Sequence, residues 1–235
     1  MEIIVDLCNQ HFGSVSELKR MSLNAYLAGA DTVKIQLMDS EAVFGDKLRK
    51  YRDINFDKFN DLNQYCNNLN IPLMATAFNE ESLEWITSMG LERLKIASKT
   101  VVDNPKLCEK ILSLNKHTLV STGYCKPNKF PFGHDKNISY LFCVSKYPTF
   151  LYDEDLKNMP REFDKIKGYT GYSDHTIGIA ACIEAHARGC EIIEKHFSSN
   201  INAQSKFEGG HLGAFDKNML SSFRRLTREL DIIRG

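Results

Sequence analysis

Two segments of the chain close on side chains that bind metals and move protons. They are Gly171-Tyr172-Ser173-Asp174-His175-Thr176 and Glu191-Ile192-Ile193-Glu194-Lys195-His196-Phe197. Each reads as a short strand whose carboxyl end turns polar. Neutral imidazole suits Mn, Zn, Fe and similar divalent ions, and two protein ligands leave positions open for water and substrate. His175 and His196 are therefore the candidate metal pair. A solitary histidine is ordinarily a satisfied polar group, and it is the matched placement that singles out these two. Asp174 and Glu194 flank them, placed either to orient the rings or to ligate directly. Asp6, Glu194 and Lys195 join the two histidines as candidate catalytic groups, and Asp174 is a candidate substrate-binding residue.

A second set suggests what such a site would hold. Lys34 and Lys95 interrupt strand-like apolar runs and supply fixed positive charge. Thr76, Ser98, Ser121, Ser145 and Ser173 supply short hydroxyl donors at similar places. Together they suit a small ligand with several anionic oxygens, such as a phosphate plus a carboxylate. Gln36, Tyr147, Asn9 and His11 stand at the same ends, and His211 lies in the loop after the last strand. The alternative is that the lysines pair with Asp6 or Glu194 as structural ion pairs. Ser121-Thr122-Gly123 and Ser145-Lys146-Tyr147-Pro148 also read as turn chemistry following strands. The aromatic residues Phe130, Phe132, Phe142, Tyr147 and Phe150 read as core or lid packing.

These residues need a scaffold that delivers distant strand ends to one place. Apolar β-branched runs over 2–8, 32–37, 72–78, 93–98, 117–122, 139–145, 169–174 and 191–197 predict eight strands. Helical spacing or helix punctuation marks 15–29, 56–69, 80–89, a helix opened by Pro105, 176–188 and 216–233. Residues 123–137, which contain Pro127 and Pro131, lack a helical period, and 148–165 are weakly patterned. Eight strand–helix units predict a single-domain (β/α)8 TIM barrel over 1–235. The competing open doubly wound sheet would want a glycine-rich dinucleotide turn after the first strand. Cys8-Asn9-Gln10-His11-Phe12-Gly13 offers one glycine.

Composition narrows the class further. With 235 residues and 43% hydrophobic content the chain can bury a large core as one domain. Thirty basic residues balance thirty acidic ones, which argues against a broad grip on nucleic acid or an anionic membrane. No run of about 18 apolar residues occurs, and the start lacks a signal-peptide pattern. The seven cysteines are scattered without a C-x-x-C, which suits reduced thiols and a cytoplasmic location.

The chain resembles the sialic acid synthases, the family that makes N-acetylneuraminic, legionaminic, pseudaminic and similar nonulosonic acids. The motifs that carry the resemblance are Gly29-Ala30-Asp31-Thr32-Val33-Lys34-Ile35-Gln36, Ala75-Thr76-Ala77-Phe78 and Leu94-Lys95-Ile96-Ala97-Ser98 with Asn104-Pro105. Ser121-Thr122-Gly123-Tyr124, Ser145-Lys146-Tyr147-Pro148-Thr149, Gly171 to Gly178 and Ile193 to Phe197 continue it. The resemblance implies a TIM barrel that condenses phosphoenolpyruvate with the open aldehyde of an N-acylated amino sugar, assisted by Mn2+ or Mg2+. It implies phosphoenolpyruvate contacts from Lys34, Thr76, Lys95, Ser98, Ser121, Ser145 and Ser173, and metal ligation by His175 and His196. Against the family pattern, Asp6 replaces a glutamate, Thr100 stands where an acid is expected, and Gly209-Gly210-His211 replaces Pro-Asp-His. The expectation is the catalytic barrel without a C-terminal antifreeze-like domain, its lid supplied by a homodimer partner or a separate polypeptide. A non-catalytic binding homologue, or another metal-dependent barrel aldolase or isomerase, is the competing reading.

Overall fold

A computed structural model describes residues 1–8, 10–45, 47–200 and 212–235. Eight parallel strands close on themselves in chain order, the last pairing with the first. They are β1 (Glu2–Asp6), β2 (Thr32–Leu37), β3 (Leu73–Ala77), β4 (Arg93–Ile96), β5 (His117–Ser121), β6 (Ile138–Cys143), β7 (Gly171–Asp174) and β8 (Ile192–His196). The helices are α1 (Val15–Leu27), α2 (Ser40–Phe44), α3 (Phe56–Asn68), α4 (Glu80–Ser88), α5 (Ser98–Asp103), α6 (Pro105–Ser113), α7 (Ala180–Ala187) and α8 (Lys217–Arg234). This is the (β/α)8 barrel that the strand count predicts, and it excludes the open sheet.

Local chemistry explains most boundaries. The Ser14 hydroxyl accepts from the Glu17 amide at 3.3 Å and caps α1. Asn79 and Ser82 form a reciprocal capping box at the start of α4. Pro105 opens α6 behind an Asn104 cap. The expected helix over 176–188 begins only at Ala180, because Gly178 has φ of +83° and interrupts the turn. Ser98, expected to end β4, starts α5 instead. Residues 123–137 carry no helix or strand, as their composition predicts.

Strand alternation divides the side chains into two sets. The outward set packs with the helices in the main core, where Val5, Val33, Ile35, Ala75 and Ile193 meet Leu18, Phe59, Leu107 and Phe223. The inward set is layered along the barrel axis. Glu2 and Arg93 lie at the amino-terminal end, joined by two hydrogen bonds of 2.5 and 3.0 Å. Above them Ile4, Met74, Leu119, Leu141 and Ile192 make a separate apolar cluster. The next inward positions, at the carboxyl ends, are polar. No helix among the described residues is long and apolar enough to cross a membrane.

Candidate active site

The polar layer is a connected set of buried groups. On β1 and β2, Lys34 Nζ donates to Asp6 Oδ2 at 2.5 Å and to Thr76 Oγ1 at 3.3 Å. Gln36 Nε2 donates to the same Asp6 oxygen at 2.6 Å. Burial alone would raise the Asp6 pKa, but the Lys34 ammonium and the nearby His196 hold the carboxyl well below the usual carboxylate range. Burial likewise disfavours the Lys34 cation, and Asp6 overcomes this and raises its pKa. The structural pairing considered for the lysines therefore does occur at Lys34.

Lys95 is different. Its Nζ donates to Ser121 Oγ at 2.6 Å and to the Ile96 carbonyl at 3.2 Å, while the nearest carboxylate oxygen, Glu194 Oε1, is 3.7 Å away. Glu194 Oε1 accepts from Ser173 Oγ at 3.1 Å, and its Oε2 is buried without a hydrogen-bond partner. Burial pushes the Lys95 pKa down, with Glu194 opposing and Lys34 adding to the effect. A buried cation held by two neutral oxygens and a distant carboxylate is under-compensated in charge, and an anionic ligand would complete it.

The two histidines stand on the neighbouring arc. Their ring centroids are 5.6 Å apart, tilted by 34°. His175 Nδ1 lies 2.9 Å from the Val144 carbonyl. A carbonyl only accepts, so the proton sits on Nδ1 and leaves Nε2 with a free lone pair. A ring N–H donated to a backbone carbonyl is common at metal-binding histidines because it fixes the tautomer and aims the other nitrogen, and the donor chemistry fits a divalent ion. Among the described residues no group of three or more His, Cys, Asp and Glu is arranged to hold a metal. Among the described residues these two rings are the groups that would hold such an ion, with substrate or water completing the shell. Tyr147 covers the pair, its ring 4.3 Å from His175 and 6.4 Å from His196.

Ser98 Oγ accepts from the Gly123 amide at 2.9 Å. Ser145 Oγ lies 3.7 Å from Cys143 Sγ, which lies 3.8 Å from His175 Nδ1. Cys143 is a member of this site that strand reasoning missed. The signal was available, because Cys143 has the parity of Ser139 and Leu141 on β6.

Two predicted site residues are corrected. Asp174 and Lys195 do not face the mouth. They form a fully buried ion pair on the outer side of the barrel wall. Lys195 Nζ also donates to the Thr176 carbonyl at 2.6 Å and sits 5.5 Å over the Phe215 ring. Asp174 accepts from Tyr172 Oη at 2.6 Å, the Thr176 amide at 2.9 Å and Cys182 Sγ of α7 at 3.1 Å. The reason is the period of two: Ser173, Glu194 and His196 point inward, so Asp174 and Lys195 must point outward. Asn9, Gly209, Gly210 and His211 lie outside the described residues. Of the aromatic group, Phe130 packs on Tyr140 and Tyr169 with centroids 4.9 and 5.1 Å away, and Phe142 stacks on Tyr172 at 5.8 Å. Both are core residues.

Comparison with known proteins gives the same assignment of lineage. The chain is 27% identical to the N,N'-diacetyllegionaminic acid synthase of Legionella pneumophila over 263 aligned positions, covering 99% of this chain and 73% of that protein. It is 28% identical to a pseudaminic acid synthase of Campylobacter jejuni, covering 87% of this chain and 67% of the relative. A crystal structure of N-acetylneuraminic acid synthetase from Leptospira borgpetersenii, in complex with citrate, superposes with a TM-score of 0.88 at 27% identity. That match covers 99% of this chain and 84% of the other. A truncated 3-deoxy-D-arabino-heptulosonate 7-phosphate synthase from Thermotoga maritima shares the fold, with a TM-score of 0.72 at 12% identity. The NeuB family model matches residues 45–232. With the closed barrel and its polar mouth, that match places the chain in the NeuB family.

Proposed function

We propose that this barrel condenses phosphoenolpyruvate with the aldehyde of an N-acyl amino sugar, giving a nonulosonic-type 2-keto-3-deoxy sugar acid and inorganic phosphate. The observation that carries the reading is Lys95, a buried ammonium hydrogen-bonded to Ser121 and short of a close carboxylate. It lies in a chain whose relatives are named as synthases of legionaminic, pseudaminic and N-acetylneuraminic acids.

In the reaction a carbon–carbon bond forms between C3 of phosphoenolpyruvate and the aldehyde carbon. Water adds at C2, and the C–O bond to phosphate breaks. Lys95 with Ser121, Ser98 and Ser173 supplies a cation and hydroxyls for the anionic oxygens of phosphoenolpyruvate. Lys34, already neutralised by Asp6, contributes hydrogen bonds more than net charge. Glu194 Oε2, buried and unpartnered, is an acceptor for a proton at the reacting centre. Ser145, next to Gly123 and Cys143, lies with the hydroxyls that serve phosphoenolpyruvate, while Tyr147 beside the histidines and Gln36 next to Asp6 serve the acceptor side. His175 and His196 would hold a divalent cation, Mn2+ or Mg2+, and such an ion supplies Lewis-acid polarisation of a carbonyl. A homodimer partner or a separate polypeptide would close the mouth.

The test is phosphate release from phosphoenolpyruvate with a panel of N-acyl amino sugars, with and without Mn2+ or Mg2+ after chelation. Acceptor-dependent release that the chelator abolishes is expected. Binding of phosphoenolpyruvate without turnover on any acceptor would instead favour the non-catalytic homologue.

A further inference from the structure

The loop leaving β1 contains polar atoms that nothing in the described structure satisfies. Gln10 is 4% exposed, and both atoms of its carboxamide are buried without a partner. His11 is 1% exposed, and its Nε2 is buried and unpartnered as well. Each such atom costs about 1–3 kcal/mol when left dry. Two consecutive residues carrying three of them therefore call for a ligand or for structured water.

The loop is held rigidly on its other side. His11 Nδ1 accepts from the Gly13 amide at 3.0 Å, and the His11 carbonyl accepts from the Ser14 amide at 2.9 Å. Lys58 Nζ donates to the Gly13 carbonyl at 2.9 Å. These contacts fix the imidazole tautomer: Nδ1 accepts, so the proton is on Nε2, and the unpartnered atom is a donor. The loop follows directly from Asp6, whose inward-facing carboxylate is felt by the ring.

The chemistry of the unsatisfied atoms selects the ligand. Burial pushes the His11 pKa down to about 4, against Asp6 and with the help of Lys58 and Arg52. The ring is therefore neutral at working pH and brings no charge to an anion. A carboxamide and a neutral imidazole N–H together offer two kinds of donor and one acceptor, all uncharged. Hydroxyl and amide groups match that set, whereas phosphate and carboxylate call for cations such as Lys95.

We propose that Gln10 and His11 form the subsite that recognises the uncharged hydroxyl or N-acyl groups of the acceptor sugar. This rests on the synthase reading for the identity of the acceptor.

The test uses Gln10→Met, which keeps the side-chain length and removes both hydrogen-bonding atoms, and His11→Asn, which keeps an acceptor for Gly13 and removes the Nε2 donor. The probes are N-acetyl-D-mannosamine and the panel sugar with the highest turnover. In each variant the acceptor KM should rise about tenfold or more, with the phosphoenolpyruvate KM changed less than twofold. Gln10→Met should leave the melting temperature unchanged or higher, because it deletes orphaned groups. An unchanged acceptor KM in both variants overturns the subsite. So does a lower melting temperature for Gln10→Met with all kinetic constants intact, since the amide is then structural. Sugar-induced thermal stabilisation provides a readout independent of turnover. Wild type stabilised by phosphoenolpyruvate but by no sugar rejects the subsite while sparing the phosphoenolpyruvate half of the reading. Wild type indifferent to phosphoenolpyruvate rejects the synthase reading itself, and a sugar shift that Gln10→Met abolishes would support the subsite even then.

Discussion

Lys95 is the residue on which substrate affinity should turn. Replacing it by methionine keeps the stem and removes the charge, so the phosphoenolpyruvate KM should rise about 30-fold or more, the worth of a charge-assisted contact of about 2 kcal/mol or above. The pH profile carries the same information. Burial lowers the Lys95 pKa. A depressed ammonium is charged below its folded pKa and neutral above it, so the anion grip is lost as pH rises through that value. The second phosphate ionisation is centred at about pH 6, below this range. Log KM should therefore climb on the alkaline side at a pH below the usual lysine range. Lys95→Arg should remove the break, because guanidinium stays charged; an identical alkaline profile in that variant would show that another group titrates. The lysines, serines and histidines of this site were legible because each is a polar residue in an otherwise apolar strand. Glu194 was legible for the same reason. The fine geometry was not: nothing in the sequence distinguishes the tight Lys34–Asp6 contact from the loose Lys95–Glu194 one. That difference depends on barrel register and on where hydroxyls from other strands fall.

At the scale of the element, β7 and β8 carry two chemistries on two faces. The inward face presents Ser173, Glu194, His175 and His196, and the outward face locks Asp174 to Lys195 beneath α7 and α8. Breaking a buried pair by removing one partner costs about 3–5 kcal/mol, while replacing both with apolar groups is far milder. Lys195→Met and Asp174→Asn should each lower the urea midpoint strongly, and the double variant Asp174→Leu/Lys195→Met should recover much of the loss. Per folded molecule, kcat should stay near that of wild type. A well-folded Lys195→Met protein without turnover would instead place that ammonium in the chemistry. The sequence motif suggested catalysis for Lys195 and substrate binding for Asp174 because a strand end compresses charged groups into a few positions, and only alternation separates them. Elements α2 and α5 escaped the sequence reading for a related reason: at five and six residues they are too short to show a helical period. Clear caps helped: α4 was placed within a residue, and the start of α6 at Pro105.

For the molecule as a whole, the barrel was legible from the count of strands, and the absence of a helix in 123–137 from its prolines. Closure makes the histidines and lysines of distant segments neighbours, so ligands that bridge them should stabilise the whole fold by mass action. Adding Mn2+ with phosphoenolpyruvate should raise the melting temperature more than either alone. His175→Ala should abolish the Mn2+ increment and keep the phosphoenolpyruvate one. A full Mn2+ increment in that variant would place the ion elsewhere. The belt of Ile4, Met74, Leu119, Leu141 and Ile192 across the barrel axis has its own consequence. It acts as an insulating plate under the charged rim, blocking solvent from the Glu2–Arg93 end and forcing the field of the Lys95 ammonium outward, where an incoming anion meets it. A single carboxylate or amide set into that plate would admit water from below and weaken the attraction without touching any group that contacts substrate.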